Sequence, residues 1–280
     1  MEFPFRAKAP GQIAAPGGYP PEPRDTDEDD EESGGKMSFL EHLDELRKRL
    51  TVSAIALCVG VLIAFLFIER IFKFIMVPLA ATLPAGSKLM YTEPTEAFML
   101  YMKIALLAGV VISAPVITWQ LWLFVAPGLY AKEKKFAIPF IFLASGCFVA
   151  GAAFSHYFVF PWAWMFLASF STDYMLFMPK IEAVFSLYSM MLLAMGVVFE
   201  MPAVVFVLAR MGLATPGFLW RNFKYAILII FIVAAVITPS GDMLTQTLMA
   251  TPMIGLYIIS IFIAWAFGKK RAKKDEDTDS

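Results

Sequence analysis

From Thr51 onward the chain runs as long apolar stretches broken by short polar ones, the apolar stretches covering roughly 51–68, 98–127, 136–165, 181–209, 224–238 and 243–267. Stretches of this length and polarity predict membrane-spanning helices, six in number. Just before the first of them the pattern changes period. In SFLEHLDELRKRL, 38–50, Phe39, Leu43, Leu46 and Leu50 share one helical face while Glu41, Glu45 and Lys48 share the other. This predicts an amphipathic helix at the membrane surface. Ser38 and Glu41 have the spacing of a capping box, and Glu45 stands four residues before Arg49, the spacing of an intrahelical ion pair.

The predicted spans differ in reach. A helix rises about 1.5 Å per residue and the hydrocarbon core is about 30 Å thick, so the fourteen residues between Lys224 and Pro239 fall short of it. The sixth stretch opens on Thr245, Gln246, Thr247 and Thr251, so it too is expected to be short. Such a pair thins the adjacent bilayer or buries its polar ends against a partner. Prolines at 115, 127, 139, 161, 202 and 252 each remove a backbone donor, and the resulting kinks favour a curved bundle.

Charge orients the chain. Eighteen of the 23 Lys and Arg lie before the first span, after the last, or in 128–135 and 210–224, whereas Arg70, Lys73, Lys88 and Lys180 lie on the other side. By the positive-inside rule both ends are cytoplasmic. Residues 1–36 are rich in Pro, Gly and acidic side chains and read as a disordered cytoplasmic tail; 37–268 form the six-span domain, and 269–280 a second charged tail. The sequence shows no cleavable signal peptide, so the first span is expected to serve as the insertion signal, and no Arg- and Ser-rich transit peptide, which favours a bacterial inner membrane.

Composition agrees with a lipid-embedded protein: 59% of the 280 residues are hydrophobic and 17% charged, with mean hydropathy +0.67. Cys58 and Cys147 sit in separate apolar runs, and His42 and His156 lie far apart, so neither a disulfide framework nor a metal site is expected. There is no phosphate-binding loop, dinucleotide fingerprint or nucleophile elbow, so the expectation is a non-enzyme without cofactor and without a nucleic-acid partner. Any work it performs must draw on the transmembrane potential or a proton gradient.

Three places carry candidate chemistry. Glu133 lies among Lys132, Lys134 and Lys135 in the loop APGLYAKEK. Beside a membrane its carboxylate suits either a local ion pair or the planar fork of an arginine. Glu200, in AMGVVFEMPAVVF, has no compensating charge near it in its own helix, and such residues face the bundle interior or a wet groove. In ITPSGDMLTQTLMATPM, 237–253, Thr238, Asp242 and Gln246 gather at the turn between the fifth and sixth spans, where they can bond another helix in lipid or simply cap the sixth.

Taken in order, FLEHLDELRKRL, APGLYAKEK, the glutamate in FEMP and TPSGDMLTQTLMATPM resemble the TatC family, the six-span receptor component of the twin-arginine protein translocase, over roughly 38–268. The resemblance implies a receptor that binds the twin-arginine signal peptides of folded proteins at its cytoplasmic face. It assigns the reading of the arginines to Glu45 and Glu133, with Arg47 and Phe124 at further positions the family uses. It places Glu200 in a concave groove, and Thr238 and Gln246 in a polar patch where single-span TatA- and TatB-type partners dock in an oligomeric complex driven by the proton-motive force. After the fifth span the family often reads TPPD, whereas this chain has Thr238, Pro239, Ser240, Gly241 and Asp242, one residue longer. The reading from another class is a secondary transporter for a small solute with Glu200 as its proton or ion site; the sequence offers it neither an inverted repeat nor a second intramembrane charge.

Overall fold

A computed structural model describes residues 39–81, 89–125, 142–172, 178–238 and 242–268. Ser38, the side chain of Glu41, Glu133 and both predicted tails lie outside the described residues. The chain divides into two compact units, Met1–His42 and Leu43–Ser280. In the first, the described residues are the opening turn of a helix; the second is the helical body. Among the described residues the fold is all-α, with one isolated parallel bridge, Met90 to Lys180, and no strand.

Helix α1, Phe39–Leu66, is continuous over 28 residues. The sequence reading divides it into a surface helix and a span, but no Gly or Pro interrupts 39–59, and Thr51 turns its hydroxyl back onto the Arg47 carbonyl at 2.8 Å. The polar-to-apolar change thus happens within one rod. Helix α2, Ile68–Ala81, goes unanticipated. Glu69, Arg70 and Lys73 give its stretch the look of a loop, yet Ile68, Ile71, Phe72, Ile75 and Leu79 recur at helical spacing and pack on the core.

Helix α3, Pro94–Val125, carries Pro115 inside it without ending there. Helix α4, Phe142–Ala168, contains one wide turn at Ser155–Val159, where the Phe160 amide reaches back five residues to the Ser155 carbonyl. Pro161 explains the widening: its ring has no N–H to offer and crowds the carbonyl four residues back, and an extra residue in the turn relieves both. Pro202 acts more strongly in the next span, Ile181–Arg210. It divides that span into α5, Ile181–Val198, and α6, Met201–Arg210, with Phe199 and Glu200 at the break. A short helix α7, Pro216–Arg221, starts on Thr215, whose side chain accepts from the Phe218 amide.

Helix α8, Phe223–Ile237, has 15 residues, about 22 Å of rise, and matches the short fifth span read from the sequence. Helix α9, Met243–Phe267, does not match its expectation: with 25 residues it is as long as a full span. Its polar opening is absorbed internally, since Thr247 and Thr251 donate to the carbonyls of Met243 and Thr247 at 2.7 and 2.8 Å, and Thr245 is buried. Among the described residues five helices are therefore long and apolar enough to cross a membrane, and α8 is a shorter apolar helix.

The core lies where α3, α4, α5 and α9 meet, with Ile104, Phe160, Met191, Met195, Met249 and Met253 fully buried. Helix α9 runs against α6 and α8. Helices α3 and α5 start side by side: the Met90 amide donates to Pro179, the Ile181 amide donates to Met90, and Lys103 pairs with Glu182. In contrast, α1 is only 11% buried over its most apolar window. It approaches α3 at Gly60 and Gly109, where a Cβ on Gly60 would stand 2.7 Å from the Gly109 carbonyl oxygen.

Candidate functional site

Two groups of predicted residues lie near the C-terminal end of α3. The first joins α1 to α3. Glu45 and Arg49 form the predicted ion pair, Arg49 Nη2 donating to Glu45 Oε1 at 3.1 Å. The sequence does not reveal the next link: Arg49 Nη1 donates to Gln120 Oε1 of α3 at 3.2 Å. Phe124 stands one turn beyond Gln120 on the same face of α3 and is half-buried. Arg47, by contrast, is exposed on α1. The structure thus brings Glu45 and the Phe124 turn together through two residues, Arg49 and Gln120, that spacing alone could not join.

The second group surrounds Glu200 at the α5–α6 break. Its carboxylate faces Trp122 and Thr118 of α3. Both oxygens are shielded, and neither holds a hydrogen bond of full geometry. Trp122, Ala144, Ala203 and Val207 form a small apolar cluster around this end of the bundle. Counting along α6, Glu200 lies about 15 Å from Arg210 at the helix end, which is half the hydrocarbon thickness. Two turns back along α5, Leu192 borders a cavity of about 360 Å³ lined also by Phe74, Val111, Ala152, His156 and Tyr188. Here the buried His156 Nδ1 and Tyr188 hydroxyl lie 2.9 Å apart.

Where α8 and α9 meet, the polar side chains bond within these two helices. Thr238 is buried and donates to the Ala234 carbonyl at 2.8 Å. Gln246 Nε2 donates to the Phe231 carbonyl at 2.8 Å, and Asp242 accepts from the Thr245 amide at 2.7 Å, capping α9. Beside them Met243, Leu244, Thr247 and Thr251 are exposed. A groove of about 340 Å³ lined by Phe154, Phe158, Trp162, Leu248, Thr251 and Pro252 runs between α4 and α9.

The family profile for the Sec-independent protein translocase protein matches residues 41–252, which contain both groups. The chain belongs to the TatC family. It is 46% identical over 242 residues to the TatC protein of Desulforapulum autotrophicum, covering 86% of this chain and 89% of the relative. It is 40% identical over 241 residues to that of Koribacter versatilis, covering 85% and 89%. A crystal structure of the twin-arginine translocase receptor TatC superposes with TM-score 0.72 at 38% identity, over 81% of this chain and 99% of that one. This TatC-family chain is therefore an integral membrane component of the twin-arginine protein translocase, and its family is not one of known enzymes. Among the described residues no group of His, Cys, Asp and Glu is arranged to hold a metal ion.

Proposed function

We propose that this chain is the signal-peptide receptor of its translocase, reading a pair of arginines at the cytoplasmic face with Glu45 and, from the loop, Glu133. The supporting observation is the Glu45 carboxylate held through one oxygen by Arg49, which also bonds Gln120 one turn before Phe124, with the other Glu45 oxygen unclaimed in the described contacts. A carboxylate so fixed suits a guanidinium, whose donors are planar and directional, better than an ammonium. In this reading the chain crosses the bacterial inner membrane six times, α8 included, with both termini cytoplasmic. Glu200 borders the concave groove that the family resemblance implies, and proton-motive force drives the passage.

Single-span TatA- and TatB-type partners dock at the α8–α9 turn. The exposed Met243, Leu244 and Thr247 and the neighbouring groove supply the contact surface. Thr238 and Gln246 contribute by finishing α8 and tying α9 to it, since their donors are engaged within the chain. The test is binding of Arg-Arg and Lys-Lys signal peptides to the full chain in lipid nanodiscs. Preference for Arg-Arg, lost in Glu45→Ala and in Glu133→Ala, supports the reading. If neither peptide binds, or both bind equally, the receptor reading of this translocase component fails.

A further inference from the structure

We infer that Arg49 and Gln120 are positioning residues that set the discrimination between arginine and lysine at Glu45, an inference resting on the receptor reading above. An exposed Glu–Arg pair one turn apart is weak, because two long side chains must be held in one geometry against their entropy. Here the geometry is fixed from outside the helix. The guanidinium of Arg49 is planar, so its bond to Gln120 through Nη1 dictates where Nη2 points, and Nη2 holds Glu45 Oε1. The two side chains are only 27% and 21% exposed, and Arg49 Nε is shielded without an acceptor.

Two consequences follow for a ligand. The carboxylate is already partly neutralised, so charge alone attracts a cation weakly and direction carries the selection. A ligand arginine meets Glu45 through the second oxygen, in the direction that the fixed carboxylate sets. A lysine ammonium has no fixed plane to match and gains less.

The experiment measures fluorescence anisotropy of a labelled apolar peptide bearing Arg-Arg or Lys-Lys with the full chain in nanodiscs. Gln120→Leu removes the acceptor for Nη1, and Arg49→Lys removes the fork. In both, the ratio of Lys-Lys to Arg-Arg Kd is expected to fall by about tenfold. Gln120→Glu keeps an acceptor and keeps the ratio. A purely structural role would weaken both peptides in proportion and leave the ratio unchanged, so an unchanged ratio in Gln120→Leu and Arg49→Lys, with discrimination still lost in Glu45→Ala, overturns the inference alone. If the wild-type chain does not discriminate, or Glu45→Ala discriminates as well as wild type, the receptor reading fails and the inference falls with it.

Discussion

Glu200 shows how much a single side chain can cost a membrane protein. Its two oxygens are enclosed at the α5–α6 break with Trp122 and Thr118 as the facing donors, an arrangement that destabilises the fold relative to an apolar residue of similar volume. Glu200→Leu is therefore expected to raise the thermal stability of the purified protein, by roughly 1 kcal/mol or more, while export of a twin-arginine reporter falls sharply. Unchanged export would assign Glu200 no role in transport. The His156–Tyr188 contact predicts the reverse sign. Tyr188→Phe leaves a buried ring nitrogen without its partner and costs about 1–3 kcal/mol in a denaturation series, whereas Tyr157→Phe, at a residue 59% exposed, costs much less. Glu200 is legible in the sequence because a carboxylate in an apolar run is rare. Gln120 is not, because its partner lies on another helix and no periodicity links positions 71 residues apart.

Element by element, the spans follow from the apolar runs, and their departures from those runs have local causes. Pro161 and Pro202 sit in similar runs, yet one widens a turn and the other splits a span. Composition announces a kink but does not decide which kind, since that depends on what neighbouring helices can accommodate. The length of α9 is hidden for a different reason: its threonines look like a polar boundary but bond to their own helix. Helix α2 is hidden by its charges, which occupy the face away from the core. The crossing of α1 and α3 gives a test at this scale. Gly60→Val drives a Cβ into the Gly109 carbonyl, which as backbone cannot yield, and should lower stability by about 1–3 kcal/mol in a thermal scan. Gly255→Ala on α9 meets open space and should be neutral or slightly stabilising, by up to about 1 kcal/mol, the helix preference for Ala.

For the molecule as a whole, the charge bias makes a prediction that structure without a bilayer does not. In a chain with Cys58 and Cys147 replaced by Ala, a cysteine at Ser280 should react with an impermeant maleimide only after the membrane is opened, and one at Tyr91, 62% exposed before α3, should react in intact cells. Labelling of both from one side would refute the even span count. Helix α1 deserves a mechanical description in this setting. Its seam with α3 is marked by Gly60–Gly109 and, about sixteen ångströms nearer its start by helical rise, by Arg49–Gln120. Both fastenings lie on one line, and most of the rest of its circumference is exposed. A rod pinned along one edge turns about that edge as a door does. Glu45, tied through Arg49 to the pin itself, sits beside that line and keeps its place as the rest of the rod turns.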